Sequence, residues 1–209
     1  MAFSLVEVLV AAAILAILAG LIVSILPEIR KNNDRTAMAT TMREFGRSMA
    51  SYSLDHNNRF VGPLWPGQVA EFDRTRGGRL VVLLAPYLGI EDKPQPYVVN
   101  KLLTASLRQA TSGIPSKHVR LFVMNTAVPG ESGPLNPWGR EQNNPTQSTP
   151  PLLRSQLPPN SGTLPAMSEA DRTHPAVVSA PWASNTAPRP PHGEPRLVLR
   201  FDGSVGGEN

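Results

Sequence analysis

From Phe3 to Leu26 the chain reads FSLVEVLVAAAILAILAGLIVSIL, 24 residues in which Glu7 is the one charged side chain. Ala, Leu and Ile dominate and no polar face recurs at helical spacing, so the run predicts a helix that is apolar on all sides. At ~1.5 Å per residue it extends about 36 Å, enough to cross a ~30 Å hydrocarbon core with some tilt. A buried core helix and a cleaved signal peptide are the alternatives. The length of the run argues for a membrane span over the first. The second has an apolar core of only about 7–15 residues behind a basic segment, and no Lys or Arg stands before Phe3 here.

The pattern changes at Pro27. Met38, Met42, Phe45, Met49 and Tyr52 step by 4, 3, 4 and 3, which sets them on one stripe of an amphipathic helix. That stripe predicts a face packed on a sheet, with Arg35, Arg43 and Arg47 on solvated faces. Pro27 is expected to bend one long helix rather than end it, and the turn formers Asp55-His56-Asn57-Asn58 are expected to stop it. The prediction is therefore a span over 3–26 that continues as helix through 27–58, with a globular part over 59–209.

Further on, Phe60 to Gln68 is a Pro/Gly loop carrying Trp65, and Arg79 to Tyr87 predicts a short buried helix closed by Pro86 and Gly89. Val119 to Asn125 predicts a strand. Arg196 to Phe201 alternates, with Leu197, Leu199 and Phe201 on one side and Arg196, Val198 and Arg200 on the other, and Asp202-Gly203 is a hairpin signal. The chain is thus expected to end in a hairpin over 196–205. Between these elements, 15 of the 22 prolines fall within 129–195. Regular structure is expected to be sparse there, an extended loop draped on a core with a disordered minority.

Composition narrows the chemistry. With no cysteine there is no disulfide scaffold, thiolate metal site or cysteine nucleophile. His56, His118, His174 and His192 form no HExxH or HxH spacing, so a zinc site has no local support. Ser132 in Gly130-Glu131-Ser132-Gly133 lacks the G-x-S-x-G spacing of a nucleophile elbow, and no phosphate-cradling glycine loop is present. The residues therefore do not point to an enzyme. The excess of basic residues between Arg30 and Arg47 is interrupted by Asp34 and Glu44, which reads as a solvated helix face and not a specific nucleic-acid surface. Glu7 is the anomaly, since a carboxylate near the middle of a membrane helix costs about 2.5–3.5 kcal/mol and ordinarily has a partner.

Ala2-Phe3-Ser4-Leu5-Val6-Glu7, followed by the long apolar run, resembles the processing segment of type IV prepilins and type II secretion pseudopilins. The resemblance implies cleavage between Ala2 and Phe3 by a prepilin peptidase, N-methylation of Phe3, and Glu7 as the fifth residue of the mature chain. There Glu7 would pair with the amino terminus of a neighbouring subunit. It also implies a single-pass protein of the inner membrane whose globular domain lies in the periplasm or on an extracellular filament, with the membrane and other pilin or pseudopilin subunits as partners. Ala2 stands where the family usually has Gly. The leader is Met1-Ala2 alone, so a basic leader upstream is expected. The positive-inside rule, applied to Arg30, Lys31 and Arg35 without such a leader, would orient the chain the other way.

At the other end, His192, nine intervening residues and Asp202-Gly203 resemble the His-x9-Asp-Gly motif of many prepilin-like proteins, although Ser204 replaces the family's usual His. Tyr52 with Asp55 to Phe60, Phe122 to Asn125 and Asn136-Pro137-Trp138-Gly139 are similar to further segments of that group. The expected fold is α+β and pilin-like: a long N-terminal helix packed on a small antiparallel sheet with long Pro-rich loops. His192 and Asp202 are expected to meet across the hairpin as a structural bond, or else to contact a metal such as calcium. No other cofactor is expected. The competing functional reading is a membrane-tethered module that never polymerises and offers Trp65, Trp138 or Trp182 to a ligand such as a glycan.

Overall fold

The computed structural model describes residues 5–142 and 145–208. Helix α1 runs unbroken from Leu5 to Asp55, with Pro27 inside it; its 51 residues extend about 77 Å. It stops where the sequence predicts. Asn57 and Asn58 take φ of 54° and 56°, the left-handed region that Asn tolerates better than most residues, and Asn58 N–H donates to Ser53 O at 2.8 Å, closing the last turn.

The rest of the chain is built on a five-stranded antiparallel sheet. Its strands are β1 (Gly67–Val69), β4 (Arg120–Met124), β5 (Pro165–Glu169), β6 (Arg196–Arg200) and β7 (Val205–Glu208), in the spatial order β1-β4-β5-β6-β7. A separate ribbon pairs β2 (Glu71–Phe72) with β3 (Tyr97–Val98). The short helices are α2 (Leu80–Leu83), α3 (Ala85–Leu88), α4 (Ala105–Ala110) and α5 (Pro175–Val178).

The predicted stripe of α1 is the core: Met38, Met42, Phe45, Met49 and Tyr52 are all buried. Register identifies the sheet face they meet, because Met124 pairs with Met167 and Met167 with Leu199, a row that belongs to the same apolar cluster. The opposite row is Val123, Ser168 and Val198. These are buried too, so the sheet is covered on both sides.

Three expectations change. The 129–195 stretch is not only loop: it contributes β5, the middle strand of the sheet, flanked by β4 and β6. Its sequence PAMSE has weak β propensity, so pairing with two neighbours makes it a strand, and its proline sits at the first position, where a strand tolerates one. Arg79 to Tyr87 is two single turns, and Pro86 lies in the first turn of α3 instead of closing α2. Gly89, with φ 59°, caps α3 as expected. The alternation of β6 does not separate a wet face from a dry one, because Arg196 and Val198 are buried along with Leu197 and Leu199.

Candidate functional site

The apolar half of α1 makes no core. Leu5, Leu9, Ile17, Leu21 and Ile25 are each more than half exposed, and the helix is long and apolar enough to cross a membrane. Ala2 and Phe3, the predicted cleavage and methylation positions, lie outside the described residues. Glu7 sits in the first turn of α1 and is exposed, and Leu26 closes the predicted span. Ala12, Ala16 and Gly20 recur at intervals of four and so share a face of α1. A Cβ built at Gly20 would meet nothing within 4 Å, so no packing inside this chain requires a glycine there. Close-approach faces of this kind are where membrane helices pack together.

Just beyond the span, α1 is clamped to the globular part. Arg35 donates to the carbonyls of His192 (3.1 Å), Gly193 (3.0 Å) and Pro195 (2.7 Å). Asp34 Oδ2 accepts from Ser106 N–H and Ser106 Oγ, both at 2.6 Å, and Ser106 lies in the first turn of α4. Arg35 is therefore a structural clamp and not part of a solvated face. Spacing on α1 alone carries no trace of this, since all its partners lie far along the chain.

His192 and Asp202 do not meet. His192 is buried, with Nδ1 against the Glu169 carboxylate and Nε2 hydrogen-bonded to Thr104 Oγ1 at 2.6 Å. Glu169, on the middle strand, also accepts from Leu197 N–H at 3.0 Å. Thr104 in turn caps α4 through Leu107 N–H. The histidine thus ties the middle strand, α4 and the loop that Arg35 holds into one junction. Asp202 instead accepts from Ser204 N–H at 2.8 Å, and Gly203 takes φ 86° in the β6–β7 turn. The two ends of the His-x9-Asp-Gly motif make separate contacts, His192 at this junction and Asp202 within the turn. Among the described residues no group of three or more His, Asp or Glu side chains could hold a metal ion.

The back of the sheet is held by charge. Asp171, fully buried, receives Arg196 Nε at 2.7 Å and Nη2 at 3.2 Å. Burial pushes the Asp171 carboxyl up, but the hydrogen bonds from Arg196 and Thr173 outweigh it and hold the group below its ordinary value. Nearby, His174 Nδ1 accepts from Ala176 N–H at 3.1 Å and caps α5. Burial first, then the charge of Arg196, push the His174 imidazole down from 6.5 to about 4.

Because the folded value is depressed, the neutral ring contributes its full stability above about pH 6.5 and loses it as pH falls toward 4. After a reduction for partial exposure, that contribution is about 1–2 kcal/mol. His174→Asn keeps a capping acceptor without a titration in this range. The difference in urea stability between pH 7.5 and 4.5 is expected to shrink by that amount in the variant. An undiminished difference would count against the assignment.

The three tryptophans separate. Trp138 is 1% exposed, so it presents nothing to a ligand, contrary to the expectation. Trp65 and Trp182 are half-buried and line one cleft with a volume of about 690 Å³. No protein-family model, no curated protein and no solved structure matches this chain. What fold and site define is an α+β protein with a small antiparallel sheet and one N-terminal helix long and apolar enough to cross a membrane.

Proposed function

We propose that the chain is a membrane-anchored, prepilin-like structural subunit that assembles through its N-terminal helix into a type IV pilus or a type II secretion pseudopilus. One observation carries the reading: a helix exposed and apolar on every side for its first half continues without a break into the core of a folded domain. Such a rod needs lipid around it before assembly and copies of itself, or of related helices, afterwards. The Asp34 and Arg35 clamps fix its direction relative to the domain, so helix packing would set the position of each domain in a filament.

In this reading a prepilin peptidase cuts before Phe3 in the inner membrane, and the domain stands on the periplasmic side. Glu7 then meets the terminal ammonium of an adjacent subunit. In a medium of low dielectric that attraction is strong enough to set axial register, and an unmatched carboxylate there would be costly. Glu7→Val is expected to insert normally and to be strongly under-represented in filaments when co-expressed with the unaltered chain. Equal incorporation of the two would refute the assembly role.

A tethered module that does not polymerise is the second reading, favoured by the cleft between Trp65 and Trp182. Mass spectrometry of the purified amino terminus separates the two. A chain starting at methylated Phe3 supports assembly, and one retaining Met1 supports tethering.

A further inference from the structure

Beside β1, on the far side of the sheet edge from the hairpin, lies the cleft of about 690 Å³. That is the size of pocket that ordinarily takes a small ligand. Its two aromatic walls are held in place by glycines. Trp65 Nε1 donates to Gly77 O at 3.0 Å, and its ring lies so close to Gly78 that a Cβ there would come within 2.4 Å of Cδ1. Trp182 packs on Gly67, where a Cβ would come within 2.9 Å of Cζ2. Both rings reach the cleft from loops that are far apart in sequence.

Three guanidinium groups also line it, and they are not equivalent: Arg76 is exposed and pairs with Asp73 at 3.4 Å. Arg79 is neutralised by Glu71 at 2.6 Å. Arg120 donates through Nη1 to Gly67 O at 2.7 Å and lies 5.6 Å from the Trp182 ring. Among the described residues no carboxylate lies within ion-pair distance of it, and its buried Nε has no acceptor. Burial, followed by the nearby charge of Arg79, pushes the Arg120 guanidinium down. A largely desolvated cation without a counter-ion is costly, and the planar fork of arginine matches a carboxylate with two parallel hydrogen bonds.

Glu141 and Gln142 add polar groups to the lining. A purely apolar ligand would strand those groups, whereas a hydroxylated ring would satisfy them and still lay a C–H face on an indole. Glu141 disfavours a second negative charge. We propose that this cleft binds a carboxylate-bearing saccharide through one uronic-acid unit, with Arg120 taking the carboxylate and Trp65 and Trp182 flanking the sugar ring. The site is independent of whether the chain polymerises.

The test is calorimetric titration of the full chain in detergent micelles with trigalacturonate, with its methyl ester, and with an acetylated tripeptide carrying a free C-terminal carboxylate. Trigalacturonate is expected to bind and the ester, which keeps the rings and loses the charge, to bind about tenfold more weakly or worse. Arg120→Gln and Trp182→Ala are each expected to weaken binding by about tenfold or more. Gln142→Trp, which adds bulk to the cleft lining, guards against a folding defect in those two and is expected to abolish binding with the melting curve unchanged. No binding of trigalacturonate, equal binding of the ester, binding of the tripeptide in its place, or full binding by Gln142→Trp would each overturn the proposal.

Discussion

Arg196→Ala is expected to destabilise the globular part by about 3–5 kcal/mol, because it leaves the buried Asp171 carboxylate without its cation. The geometry makes the loss severe: Asp171 is 0% exposed and accepts two bonds from one guanidinium edge. Arg196 also donates to Thr173 Oγ1 at 3.0 Å, so the truncation disturbs three residues at once. Replacing both partners with apolar residues of similar volume, Arg196→Met with Asp171→Leu, is expected to recover most of the loss, since an apolar pair owes no desolvation cost. Urea unfolding followed by tryptophan fluorescence, on the two single variants and the double, measures this directly. If the double variant is as unstable as the sum of the singles, the interpretation as a coupled buried pair fails.

Trp138→Ala is the second large effect, at about 3–5 kcal/mol. Trp138 stacks on Phe201 with centroids 5.6 Å apart and meets Phe60 edge-on at 5.4 Å. Phe60 and Phe201 also meet edge-on at 5.7 Å. The three rings therefore form one closed triangle, linking the segment after α1, the Asn136–Gly139 turn and the end of β6. The indole N–H donates to Asn125 O at 2.9 Å, at the end of β4. Deleting the ring empties the centre of that junction and strips a carbonyl of its donor. Trp138→Phe retains most of the apolar contact, so it is expected to cost clearly less, about 1–2 kcal/mol. Equal urea midpoints for the Ala variant and the unaltered chain would show that the triangle is not a stability element.

The aromatic triangle also accounts for sequence segments that are individually weak signals. Asp55 to Phe60, Phe122 to Asn125, Asn136 to Gly139 and the Asp202-Gly203 turn lie far apart in the chain. Asn125 donates to Pro165 O at 2.8 Å and receives Ala127 N–H. Asn136 receives Trp138 N–H and donates to Gly139 O. Asn125, Asn136 and Asp202 each accept an N–H from two residues on and so hold a turn locally, and Phe60, Trp138 and Phe201 share one ring cluster. Those residue types are where they are because the turns aim the rings, and sequence spacing could show only the turns.

Local pattern was enough for α1, for its buried Met38–Tyr52 stripe, for its stop at Asn57-Asn58, for strand β4 and for the Asp202-Gly203 hairpin. Each depends on interactions within a few residues: a 3.6-residue period, an uninterrupted apolar run, a left-handed turn. The middle strand β5, the burial of both faces of β6, the Asp171–Arg196 and Glu169–His192 pairs, the Arg35 clamp and the Trp65–Trp182 cleft were set by the tertiary arrangement. They depend on which distant segments are brought into register, and a short strand such as PAMSE or a lone buried charge has no periodicity by which its partner can be recognised in advance.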